Sequence, residues 1–158
     1  MKSARNHEHV AAAGLNGPPD ASDGRTGQSA RQERGGLKTR TLVSFDIDGT
    51  LEIGDPPGIV TIPMVRLAKS LGYVIGTCSD RPISFQQELW ERLRISADFT
   101  VLKHRLTDVK ASFRAHAYYH IGDTNTDRTV ATDAGFRFLR ADAAAHRSWG
   151  PELFAPRL

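Results

Sequence analysis

The sequence predicts an α/β fold, a doubly wound parallel sheet of five strands with helices on both faces. Two observations predict it. Short apolar runs alternate regularly with longer segments whose apolar residues recur at spacings of three and four, the pattern of strands and crossover helices. Chemically loaded residues then fall just after the runs, beyond the carboxyl ends of the strands, where open parallel sheets bind ligands.

Thr41–Phe45 is apolar and β-branched and ends in Asp46, which suits a strand buried on both faces. Residues 51–60 carry Gly54, Pro56, Pro57 and Gly58 and read as a loop or small flap. Thr61 can cap a helix running through Leu71, with Pro63 tolerated in its first turn and Gly72 after its end. Tyr73–Cys78 is the second strand, and Ile83–Ile95 a helix with Phe85, Leu89, Trp90 and Leu93 on its apolar face. Phe99–Lys103 is the third strand, followed by a short helix over Leu106–Ala115. Tyr118–Ile121 is the fourth, Asp127–Ala134 a helix, Phe136–Leu139 the fifth, and residues 142–154 a last helix.

Residues 1–38 contrast with all of this. They are rich in Gly, Ser, Ala, Arg and Asp, include Pro18-Pro19 and hold almost no large apolar residue. Such a stretch buries too little surface to offset its ordering entropy, so it reads as a disordered N-terminal arm ahead of a domain at 39–158. Residues 1–40 carry seven Lys or Arg against four acids, leaving 14 of each sign in the rest. The net charge of +3 therefore belongs to the arm, and it argues no nucleic-acid groove in the domain. Cys78 is the only cysteine, which excludes an intrachain disulfide and a cysteine-based zinc site. No run approaches the ~18 apolar residues of a spanning helix, and no hydrophobic signal region stands at the N-terminus. The expectation is a cytoplasmic protein with no membrane partner.

The strand-end segments carry the chemistry. They are Asp46-Ile47-Asp48-Gly49-Thr50, Ser79-Asp80-Arg81, Lys103-His104 and Gly122-Asp123-Thr124-Asn125-Thr126-Asp127. Asp46 and Asp123 would bring two carboxylates together, which is costly unless a proton or a cation lies between them. A hard divalent ion resolves this, and Mg²⁺ is the usual one where phosphate is handled. Asp46 then serves as a nucleophile toward phosphorus, and Asp48 as the acid and base for leaving group and water. Ser79 and Lys103 would hold the remaining phosphoryl oxygens as charge spreads onto them. Thr77 and Lys110 are the alternatives for those two places.

These motifs resemble the haloacid dehalogenase superfamily, in which a DxDGT segment follows the first strand and GDxxxD the fourth. The resemblance covers roughly residues 41–140. It implies a Rossmann-like sheet of order 5-4-1-2-3, a nucleophile at Asp46 and an acid/base at Asp48. It also implies Mg²⁺ held by the Asp46 carboxylate, the Asp48 backbone carbonyl and Asp123, with Asp127 supporting that shell. Ser79 is preferred to Thr77 because Ser-Asp-Arg-Pro is similar to the Thr-Gly-Arg-Pro of relatives, and Lys103 to Lys110 because it ends a strand.

Only 28 residues separate Thr50 from Ser79, and 23 separate Ser79 from Lys103. Neither interval has room for the cap domain that many relatives insert, so the resemblance is to the capless type. Its open site calls for a large phosphorylated substrate, or for a neighbouring subunit of a homo-oligomer, to exclude water. The expected activity is a phosphomonoester hydrolase acting through an aspartyl-phosphate, on a small metabolite or a macromolecular phosphate. The alternatives are a slow regulatory or binding module on the same fold, and a phosphotransferase.

Blander readings apply elsewhere. A calcium loop starting at Asp46 fails, because Thr50, Leu51 and Pro57 occupy the fifth, sixth and twelfth positions. His116 and His120 are four apart, but in a strand that spacing makes no ligand pair, and His120 reads as a buried or rim histidine. Cys78 reads as a small buried residue. Trp90 packs its helix onto the sheet. Asp80 and Arg81 either pair with each other or face substrate, and His104 and Arg105 either touch an anionic substrate or are solvated.

Overall fold

The computed structural model describes residues 40–155; the expected arm at 1–38 lies outside them. Five parallel strands form one sheet: β1 (Thr41–Phe45), β2 (Val74–Ser79), β3 (Phe99–Leu102), β4 (Ala117–Gly122) and β5 (Arg137–Arg140). Their order is β3-β2-β1-β4-β5, the expected sheet counted from its other edge. The order reverses beside β1, so the carboxyl ends of β1 and β4 flank the crevice in which such sheets bind ligands. In register, Phe45 lies between Thr77 and Ile121, and Ser44 lies beside His120.

The helices are α1 (Ile62–Ser70), α2 (Ile83–Leu93), α3 (Leu106–Ser112), α4 (Asn125–Asp133) and α5 (Ala143–Phe154). Every residue of β1 is buried, as a central strand covered on both sides requires. Val43 and Phe45 point to one face, where Val65 of α1, Trp90 of α2 and Leu153 of α5 pack on them. Leu42 points to the other, with Leu106 and Val109 of α3 and Ala131 of α4. Each fully buried side chain such as Phe45 contributes roughly 1.5–3 kcal/mol relative to exposure. The β1–β2 connection holds only a loop and α1, and the β2–β3 connection only α2. No cap domain is inserted in either.

Element boundaries move where capping decides them. The helix expected from Asp127 begins at Asn125, because Thr124 and Asp127 form a reciprocal capping box. Lys103, expected as the last residue of a strand, instead opens a 3-10 turn over Lys103–Arg105. The helix expected to reach Ala115 stops at Ser112, where Phe113 is already extended. Among the described residues no helix is long and apolar enough to cross a membrane.

Candidate active site

Asp46 follows β1 directly, and its backbone N–H donates to Ile121 O at 2.9 Å, which ties it to β4. Asp123 follows β4 directly. One carboxylate oxygen from each of Asp46, Asp123 and Asp127 lies within 4.8 Å of the others. Gly49 makes the approach feasible. Its φ is +71°, and a Cβ there would collide with the Asp123 carboxylate. From β5, Arg140 donates to the Asp123 carbonyl and, at 2.9 Å, to Asn125 Oδ1, clamping the loop that presents Asp123.

Lys103 projects from its turn into this cluster. Its ammonium lies 3.0 Å from Asp127 Oδ1, 3.3 Å from Asp46 Oδ2 and 3.3 Å from Asp80 Oδ2. Burial opposes its charge, but these three carboxylates outweigh burial and hold it above its ordinary range. Asp127 is fully buried, and burial pushes its carboxyl up. Hydrogen bonds from His120, Thr124 and Lys103 overcome that and keep it well below the carboxylate norm. Asp46 goes the other way: burial, then the Asp127 charge, raise it to about 7 despite Lys103.

The three carboxylates differ in what they have left to give. Asp127 Oδ2 accepts from Thr124 N at 3.0 Å and Thr124 Oγ1 at 2.7 Å, while Oδ1 faces Lys103 and His120. Its lone pairs are taken. Asp123 Oδ1, by contrast, is buried with no partner, an expensive condition unless something electropositive joins it. Asp46 and Asp123 are therefore the side chains with capacity for a cation, and their oxygens suit a hard ion such as Mg²⁺. Asp127 fits the supporting place the resemblance implies.

Asp48 stands outside the cluster. Arg81 forks its carboxylate, Nε to Oδ2 at 2.8 Å and Nη2 to Oδ1 at 3.1 Å, and the Asp55 N–H adds a bond of 2.9 Å. The Arg81 hydrogen bonds, ahead of the opposing effect of partial burial, hold Asp48 below the carboxylate norm. The Arg81 guanidinium also stacks 5.0 Å from the centre of the Phe85 ring. Asp80 and Arg81 thus do not pair with each other; one turns to Lys103 and the other to Asp48.

The two open alternatives resolve by geometry. Ser79 is buried at the end of β2, and its Oγ accepts from Arg81 N at 3.1 Å, in the loop beside Asp48. The Thr77 hydroxyl accepts from the Trp90 indole N–H at 3.2 Å, within the core under α2. Lys110 donates to Gly135 O at 3.0 Å, at the start of β5, and lies over the Tyr118 ring. The cluster thus takes Lys103, and Ser79 is the hydroxyl at the strand end. Arg105 pairs locally with Asp108.

Sequence reasoning left the partners of Arg81 open and missed the roles of Arg140 and Thr124. Arg140 had a signal, since it ends the fifth strand as the other site residues end theirs. Thr124 had one too, three residues before Asp127 in capping-box spacing. Cys78 is buried as expected, its thiol pushed up to about 12 by burial and then by the charges of Asp46 and Asp127.

No protein-family model matches the chain, and no curated protein matches it either.

Proposed function

We propose that this protein is a phosphomonoester hydrolase of the haloacid dehalogenase type, capless and magnesium-dependent, working through an aspartyl-phosphate on Asp46. The observation that carries the reading is the meeting of Asp46 and Asp123, from two adjacent strands, within 4.8 Å beside the Lys103 ammonium. Mg²⁺ would be held by the Asp46 and Asp123 carboxylates and the Asp48 carbonyl, and when bound it offsets their charge beside an anionic substrate.

In the first step an Asp46 oxygen attacks phosphorus, and the bond from phosphorus to the ester oxygen breaks. The departing oxygen takes its proton from Asp48. In the second, Asp48 takes a proton from water, the resulting hydroxide attacks the aspartyl-phosphate, and inorganic phosphate and free Asp46 result. Lys103 and Ser79 hold phosphoryl oxygens as they gain charge, each worth about two to three powers of ten in rate. Asp48 ionised under the Arg81 fork is ready as the base; to serve as the acid it must first be released from that fork. The substrate is a phosphorylated metabolite or a macromolecular phosphate, with closure by the substrate itself or by a second subunit.

The Arg81 fork also favours a second reading, a regulatory or binding module that turns over slowly because Asp48 is tied down. Hydrolysis of p-nitrophenyl phosphate, with and without Mg²⁺, separates the two. Turnover that needs Mg²⁺ and disappears in Asp46→Asn supports the hydrolase, with a hydroxylamine-sensitive phosphorylated Asp46 as its covalent signature. Turnover no greater than that of Asp46→Asn supports the module. Phosphate appearing on an added alcohol rather than in solution would assign a phosphotransferase.

A further inference from the structure

Under the carboxylate cluster lies a histidine that the proposed chemistry does not use. His120 is fully buried on β4, on the face of the sheet that packs against α3 and α4. Its Nδ1 is 3.1 Å from the hydroxyl of Ser44, its register partner on β1. Its Nε2 is 3.4 Å from Asp127 Oδ1, the same oxygen that receives Lys103 at 3.0 Å. Ser44 is itself fully buried. A continuous chain therefore runs from β1 through the His120 ring and Asp127 to Lys103 and ends at the nucleophile Asp46.

We infer that His120 is a positioning residue: through Asp127 it fixes the Lys103 ammonium against Asp46. The catalytic part of this inference rests on the phosphoryl-transfer reading of the site. Lysine carries a compact charge on a flexible stem, and its position is set by what it bonds to. Here that anchor is Asp127 Oδ1, the closest of its three carboxylate oxygens. Two donors from Thr124 hold the other oxygen, so the ring on Oδ1 is what keeps the carboxylate plane aimed at Lys103. Gly122 leaves room for this, since a Cβ there would collide with the Asp127 side chain. An ionised carboxylate only accepts, so Nε2 carries a hydrogen. An apolar side chain of like volume would fill this layer equally well. What the imidazole adds is a donor aimed at one oxygen, anchored from behind by Ser44. Carboxylate–imidazole pairs that orient a working group commonly carry about 10- to 100-fold in activity.

Two substitutions separate positioning from packing. In His120→Gln the amide nitrogen falls near the place of Nε2 and keeps the donor to Asp127 while giving up Ser44. In His120→Asn it falls near Nδ1, keeping Ser44 and giving up Asp127. Both lose ring volume, so both should lose thermal stability to a similar degree. The expected result with p-nitrophenyl phosphate is kcat within about threefold of wild type for His120→Gln and a loss of about 10- to 100-fold for His120→Asn, with KM changed less than kcat. Equal kcat in the two variants, or the reverse order, would overturn the inference. A readout independent of turnover is the nitrogen-15 ammonium signal of Lys103, expected in wild type and His120→Gln and lost in His120→Asn. Its survival in His120→Asn, or an imidazole spectrum with bare Nε2, would also overturn the inference. A wild-type protein that does not turn over above Asp46→Asn sinks the hydrolase reading alone, and the ammonium signal still decides what His120 does.

Discussion

Removing the Asp46 charge should stabilise the metal-free protein at alkaline pH, although Asp46 is the residue proposed to do the chemistry. Burial and the Asp127 charge raise its carboxyl from an ordinary 3.8 to about 7. A folded-state value above the unfolded one gives a contribution that is fully present below about 3.8 and is lost as pH rises through about 7. Above that window the native state carries a charge that it would hold more cheaply unfolded. The ceiling on this penalty is about 4 kcal/mol, at about 1.4 kcal/mol for each tenfold change in proton affinity. Because Asp46 and Asp127 share Lys103, part of it belongs to the pair, and about 2 kcal/mol is the expected share of Asp46.

Asp46→Asn is nearly isosteric and cannot ionise, and Lys103 keeps Asp127 and Asp80 as partners. Urea unfolding in EDTA, followed through the buried Trp90 and Trp149, should therefore give equal stabilities for wild type and variant near pH 4. At pH 8 the variant should be about 2 kcal/mol more stable. Mg²⁺ at pH 8 should close the gap by stabilising wild type alone. A variant less stable than wild type at pH 8, by a margin that does not change with pH, would refute the reasoning. It would show that the pull of Lys103 on Asp46 exceeds the cost of burial.

Three further outcomes follow from the same geometry. Gly49→Ala places a Cβ against the Asp123 carboxylate at a φ of +71°, so Mg²⁺ should no longer raise its melting temperature, and turnover should fall at least about 100-fold; preserved Mg²⁺ stabilisation would show that Asp123 can move aside. Ser79→Ala should lower kcat about 100-fold with little change in stability, whereas Thr77→Val, which strips the Trp90 indole of its acceptor, should cost about 1–2 kcal/mol of stability and leave kcat intact. The reverse pattern would return the phosphate-binding role to Thr77. Cys78, with its thiol pushed up to about 12, should resist iodoacetamide in the native protein at pH 8 and react at the free-thiol rate once unfolded; native-state reaction at that rate would contradict its burial.

The strand-end rule made the acidic half of the site legible, because chain connectivity alone sends the residues after β1 and β4 to the same crevice. What it could not supply is the pairing of long side chains across that crevice. Arg81 and Asp48 are 33 positions apart and meet only because the flap and the β2 loop converge. The choice between Lys103 and Lys110 turned on a 3-10 turn that the apolar pattern does not encode. His120 is the sharper case. Its sequence signal was a polar residue inside an apolar strand, which implies a satisfied partner below the surface. The identity of that partner depends on β1 lying beside β4 and on the register that sets Ser44 opposite His120. A one-residue slip would have turned the ring to the opposite face. Strand order follows from fold class, but register is fixed by packing along the whole strand. The carboxylates could therefore be located from sequence, while the groups that decide which of them is free, forked or saturated could not.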